Sequence, residues 1–268
     1  MDPVYSVFIS CLLIGLLVGT LAGMLGIGGG LIIVPLLSYM LVHWLGLATD
    51  AAMPVAVATS LSTIIFTGMS SAWAHFRLGN LNSFIVLWSC LGVAAGGTVG
   101  ALVASSISGH TLKNIFAVLV LVIAAKMIFG RNWVSGNTAA RPALVTVGGF
   151  TGFFSALMGI GGGALMVPAL VWFQVNLRQA IGCAAMGGVI LALFGTASFI
   201  VAGWDRIDVL DGAIGYVYLP ATLGIVTTSI FTAALGARLG QKINTKLLKR
   251  LFAGLLVLVS VRMILGIE

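Results

Sequence analysis

Gly26–Pro35 reads GIGGGLIIVP, and Gly159–Pro168, 133 residues further on, reads GIGGGALMVP. Each cluster lies inside an otherwise apolar run. A glycine weakens a helix by about 1 kcal/mol relative to alanine, so four within five residues is a cost that some use must offset. Repeating the cluster with the same following Val-Pro points to an internal duplication. What the clusters do depends on the solvent around them.

Composition identifies that solvent. The 268 residues are 60% hydrophobic and 7% charged, with a mean hydropathy of +1.19. A soluble chain carries about 25% charged residues, so this is an integral membrane protein. Apolar segments run at Tyr5–Leu25, Leu31–Leu47, Ala51–Trp73, Phe84–Val103, Thr111–Phe129, Ala143–Met158, Ala164–Val175, Ala180–Trp204, Gly212–Ala237 and Leu247–Ile267. All are expected to be helical, in one all-α polytopic membrane domain spanning 1–268. The runs are continuous rather than short and alternating, which excludes an outer-membrane barrel. The start MDPVYS has no basic residue, so the first segment is expected to be retained rather than cleaved as a signal.

The same inventory narrows the chemistry. Cys11, Cys90 and Cys183 fall in three different segments without CxxC or Cys/His spacing, so neither a disulfide framework nor a metal site is proposed. The interior offers no paired carboxylates, no HExxH and no Ser/His/Asp set, which argues against a membrane-embedded enzyme. No cofactor is implied. The net charge of +7 comes from short loops, where membrane topology accounts for it without nucleic acid.

Charge placement bears on how each glycine cluster passes through the membrane. If the chain reverses at each cluster, one side receives Arg77, Lys126, Arg131, Arg141, Arg178, Arg238, Lys242, Lys246, Lys249 and Arg250, against only Lys113, Arg206 and Arg262 on the other. If each cluster is a break in one spanning helix, the thirteen basic residues divide seven to six. Only the first division is a positive-inside pattern. It puts all six acids on the poorly basic side and both termini outside. Ala164–Val175 has twelve residues where a crossing needs about 20, so the following segments are either short full pairs or re-entrant hairpins. Both return the chain to its starting side. Each half then has an odd number of crossings, and the second copy is inserted upside down, an arrangement common among secondary transporters. The expected division is a first repeat at 1–135, a connecting loop at 136–141 and an inverted second repeat at 142–268.

Interrupted helix is tolerated at membrane depth only where protein or a water-filled cavity surrounds it. The helices restarting near Gly30 and Gly163, with Pro35 and Pro168 in their early turns, present free N–H groups and positive dipole ends to the gap. Such a concave ring of donors prefers an anion. Gly26, Gly28, Gly29, Gly30, Gly159, Gly161, Gly162 and Gly163 are therefore candidate binding residues. Gly92, Gly96 and Gly100, spaced GxxxG fashion, and Gly236 and Gly240 are read instead as close-packing positions, within the chain or in a homodimer. A nucleotide loop is excluded, since no strand precedes the motif and no Lys-Ser/Thr follows it.

The duplicated GIGGGxxxVP, the Ala-Thr-Ser of VAVATS and the stretch HFRLGNLN resemble the TauE/SafE family of sulfite and organosulfonate exporters across both halves. The resemblance implies transport of small sulfur-containing anions such as sulfite, sulfoacetate or related sulfonates. The halves differ: Cys183-Ala184 stands where Thr59-Ser60 would align, and VAGWDRID replaces the segment holding His75 and Arg77. Thr59 and Ser60 are candidate side-chain ligands, because a hydroxyl donates to an anion without the desolvation cost of a buried lysine; the alternative is bonding back to the preceding helical turn. Cys183 joins the set by its position. His75 and Arg77 are candidates for a gate or for steering, against simpler interfacial roles. The leading reading is an anion exporter of a bacterial inner membrane working by alternating access. A passive anion channel or a carrier of another small organic anion remains the alternative.

Overall fold

The computed structural model describes residues 3–25, 29–129, 140–204 and 210–240, together with 254, 257 and 260–261. Among these are nine helices: α1 Pro3–Leu25, α2 Gly30–His43, α3 Thr49–Arg77, α4 Ser83–Ser106, α5 Gly109–Phe129, α6 Arg141–Met158, α7 Gly163–Trp172, α8 Leu177–Gly203 and α9 Leu219–Gly240. Helices α3, α4, α5 and α8 contain stretches long and apolar enough to cross a bilayer. The fold is that of a polytopic helical membrane protein. By contrast α2 and α7 have 14 and 10 residues, about 21 and 15 Å at 1.5 Å per residue, too short for a hydrocarbon core of about 30 Å. Each is therefore long enough for only part of that thickness, as half-helices are.

One expected helix is corrected. The segment Gly212–Ala237 does not begin helical: Ala213–Ile214 (β1) and Val217–Tyr218 (β2) form an antiparallel hairpin before α9 starts. Gly212 and Gly215 adopt positive φ, 84° and 54°, which a helix cannot absorb, and Pro220 takes the second position of α9, where its missing N–H costs nothing. An apolar run alone does not distinguish this turn from helix.

Contacts at the helix ends fix relative directions. Arg141, opening α6, stacks its guanidinium over Phe84 and Trp88 of α4, at 5.9 and 5.3 Å from the ring centroids. Asn80, just past α3, packs its backbone on Gly182 near the start of α8. The end of α3 and the starts of α4, α6 and α8 therefore share one end of the molecule, with Arg77, Arg141 and Arg178. At the opposite end the Asp50 carboxylate accepts from the backbone N–H of His110 at 3.2 Å, joining the starts of α3 and α5. Because α6 and α8 both start from the Arg141 end, the chain turns back between them. It does so through Gly159–Gly163 and α7.

Close approach of backbones supplies the main lateral contacts. On α4, Gly92, Gly96 and Gly100 pack against Val145, Gly149 and Phe153 of α6, while Gly148 and Gly152 of α6 pack against Ser89 and Val93 of α4. The same device joins α1 to α9: Gly15 meets Ile225 and Thr228, Gly19 meets Ser229, Gly224 meets Phe8, and Gly236 meets Thr20. A Cβ at these positions would collide with a carbonyl of the facing helix, which is why small residues occupy them. Numbers rise together along both pairs, so each is parallel. The GxxxG face of α4 is thus consumed inside the chain rather than left for a second copy. Adding the motif offset of 133 to Gly15 and Gly19 gives Gly148 and Gly152.

Candidate functional site

The two glycine motifs meet. Gly30 opens α2, and a Cβ there would overlap the carbonyl oxygen of Gly159 and stand 2.8 Å from Cα of Ile160. Two φ angles make the breaks. Gly29, preceding α2, has φ 76° and ψ −14°; Gly159, ending α6, has φ 62° and ψ 29°. Both lie in the left-handed region that glycine enters without a Cβ penalty. At the end of α6 the N–H of Gly159 bonds to Ala156 O (3.2 Å) and that of Ile160 to Ser155 O (3.0 Å), so the last carbonyls are partly satisfied as the chain leaves the helix. Gly162 caps α7, and its backbone packs on Gly188 and Ala184 of α8. Gly29, Gly30 and Gly159–Gly163 are all buried. Gly26 and Gly28 lie outside the described residues.

Helix α3 runs beside this junction and closes it with hydroxyls. Ser60 Oγ donates to the carbonyl oxygen of Gly159 at 2.7 Å, and a Cβ on Gly159 would stand 3.0 Å from Val57. Thr59 Oγ1 accepts from the backbone N–H of Tyr218 at 2.9 Å, satisfying a donor freed where the hairpin passes into α9. Both residues are fully buried. Neither hydroxyl bonds back along its own helix, unlike Ser62 and Thr63, which donate to Thr59 O and Ser60 O at 2.7 Å. Ser62 also meets Thr222 Oγ1 at 2.8 Å, a second link from α3 to α9. Sequence reading located Thr59 and Ser60 but not the groups they serve.

The remaining candidates sit elsewhere. Pro35 and Pro168 are each the sixth residue of their half-helix, α2 and α7, and partly buried. Cys183 is buried with its sulfur toward Asn82 O at 3.9 Å, on the side of α8 that faces the α3–α4 loop rather than the motifs. In α8 the residues at the motif are Ala184, Gly187 and Gly188; Gly187 packs on Met166 of α7. The Gly187-Gly188 pair was the sequence signal for that contact. His75 is half-buried at the Arg141 end, with Nδ1 3.4 Å from Asn80 Nδ2. Arg77 is exposed and stacks over Trp73 at 5.6 Å. Neither reaches the glycine junction. Among the described residues no acid lies at the junction: Asp50 and Asp211 are at helix or hairpin ends.

Fold and site together define a multi-pass helical membrane protein whose interior holds two short half-helices, α2 and α7, opened by glycine motifs in backbone contact. The chain belongs to the sulfite exporter TauE/SafE family, whose model matches residues 11–263. It is 37% identical to a probable membrane transporter protein of Haemophilus influenzae over 97% of this chain and 99% of that one. It is also 25% identical to the probable membrane transporter protein YunE of Bacillus subtilis, covering 96% and 97% of the two chains, and to one from Methanocaldococcus jannaschii, covering 95% and 94%. No solved structure matches. Membrane transport is the function that this family membership supports.

Proposed function

We propose that the protein exports small sulfur-containing anions, sulfite or related sulfonates, by alternating access, binding them at the junction of the two glycine motifs. The observation that carries this reading is the meeting of Gly30 with Gly159 and Ile160. It brings the amino ends of α2 and α7 to one buried place, where the N–H of Ile32 bonds Gly29 O at 3.0 Å and the N–H groups before it precede any intrahelical acceptor. Two helix amino ends supply partial positive charge without a lysine or arginine, whose burial would be costly. A small oxyanion suits such a donor set. The family's description as sulfite exporters supports the sulfur oxyanion over other anions.

The repeats are read as inverted, 1–135 against 142–268. Support comes from direction: α6, the counterpart of α1, runs with α4, whereas α1 runs with α9, and α9 runs with α3 through the Thr59–Tyr218 and Ser62–Thr222 contacts. The end holding Arg77, Arg141 and Arg178 is assigned to the cytoplasm by the positive-inside rule, which places the amino terminus outside. The Ser60–Gly159 bond closes the junction, a feature that supports a carrier over an open channel. Sulfite flux into proteoliposomes tests the reading. Saturable flux that is competed by sulfoacetate and lost in Gly159→Val is expected; large unitary currents, or no sulfite movement, would refute it.

A further inference from the structure

The helices that are locked together most tightly do not belong to the same half of the sequence. Helix α1 is seated on α9, and α4 on α6, each through a line of glycines that brings backbone onto backbone. Separating such a pair would part carbonyls and Cα atoms in direct contact along its length, so each pair behaves as one body. Around them the most extensive remaining contact joins α3 to α8, and the next ones attach each of these two helices to its own pair. Helix α3 packs on α2 and α9; α8 packs on α7 and α4.

We propose that the moving parts of this transporter are two exchanged bundles, α1–α2–α3–α9 and α4–α6–α7–α8, rather than its two sequence repeats. Each bundle contains three helices of one half and the fourth helix of the other. They face one another across α3 and α8, where Gly68 meets the side chain of Val189 and Gly195 that of Leu61, as Gly97 of α4 meets Leu191 of α8, rather than the carbonyls met along α1–α9 and α4–α6. Such surfaces slide with small side-chain adjustments, as interlocked backbones do not. Backbone meets backbone where the two connecting segments seat on α8, Asn80 on Gly182 and Gly215 on Ile200, and at the junction itself. There Gly30 and Ser60 of one bundle touch Gly159 of the other through backbone and hydrogen bond, so relative motion of the bundles opens and closes that place. The chain crosses between bundles at the loop of residues 78–82 and at the hairpin before α9, and both carry glycines at positive φ, Gly79, Gly212 and Gly215. This inference rests on the alternating-access reading for its function, but its geometry is testable without transport.

Spin labels on lipid-facing Leu16 (α1), Phe231 (α9), Leu91 (α4) and Phe150 (α6) give the decisive distances in lipid, with and without sulfite. Exchanged bundles require the Leu16–Phe231 and Leu91–Phe150 distances to stay fixed while Leu16–Leu91, within one repeat, changes. Repeats moving as units require the reverse. All three fixed, or all three changing, would overturn the proposal. In a background lacking Cys11, Cys90 and Cys183, a short thiol bridge between Leu12→Cys and Thr228→Cys should leave sulfite efflux unchanged, whereas one between Leu61→Cys and Gly195→Cys should stop it. Arrest by the α1–α9 bridge would defeat the exchanged bundles. Absence of sulfite flux in the unsubstituted protein would instead defeat the transport reading, with the distances still judging the bundles.

Discussion

Ser60 of α3 donates its hydroxyl to the carbonyl oxygen of Gly159 at 2.7 Å, so a helix from one half of the sequence completes the broken helix end of the other. Removing the donor leaves a buried carbonyl without that partner. Ser60→Ala is expected to destabilise the folded protein by about 1–3 kcal/mol, the usual cost of an unsatisfied buried polar group, read as a lowered midpoint of thermal unfolding in detergent. An unchanged midpoint would show that the carbonyl finds another donor.

Thr59 makes the complementary bond, accepting from the Tyr218 N–H at 2.9 Å. Thr59→Val keeps the shape and loses the acceptor, whereas Thr59→Ser keeps the acceptor. The valine variant should lose about 1–3 kcal/mol and the serine variant much less. If sulfite affinity, measured by calorimetry, falls in Thr59→Val and recovers in Thr59→Ser, the hydroxyl also serves the bound anion. Equal stability of the two variants would remove Thr59 from the support of the hairpin.

At the motifs, steric arguments are sharper. Gly159 has φ 62° and neighbours at 3.0 Å on Val57, and Gly30 has no room for a Cβ beside Gly159. Gly159→Val and Gly30→Val should each abolish sulfite flux while the protein still inserts and is recovered from the membrane. Full flux in either variant would contradict the junction as drawn.

Topology offers an independent check. In a background without Cys11, Cys90 and Cys183, an impermeant maleimide applied to intact cells should label Asp50→Cys and leave Gly79→Cys and Arg178→Cys unlabelled. Labelling of the latter two with protection of the first would reverse the proposed sidedness. Labelling of Gly79→Cys but not Arg178→Cys would contradict the common end that the Asn80–Gly182 contact gives them.

Among the described residues the junction has no carboxylate to carry a proton, and His75 stands away from it beside Asn80. Sulfite flux should therefore follow the anion gradient and membrane potential, and His75→Gln should preserve its dependence on both. A strict requirement for a proton gradient that disappears in His75→Gln would make that imidazole part of the coupling.

Much of this molecule is written locally. Low charge and long apolar runs determine a bundle of membrane helices, because lipid forces every segment to satisfy its backbone internally. Gly26–Pro35 and Gly159–Pro168 mark the places where α2 and α7 begin, and Arg141 with Arg178 on one side already implies reversal between them. Gly15 and Gly19 stand at the same 133-residue offset from Gly148 and Gly152 as the two motifs do from each other. The hairpin at 213–218 was less legible: its residues are as apolar as a helix, and only Gly212, Gly215 and Pro220 distinguish it. Tertiary structure alone decided the partners. That Ser60 reaches Gly159, 99 residues away, and Thr59 reaches Tyr218, 159 away, follows from how α3 lies against α6 and α9. Periodicity and spacing report what one segment needs. They do not report which distant segment will meet that need, and here the seating of α1 on α9 and α4 on α6 made the choice.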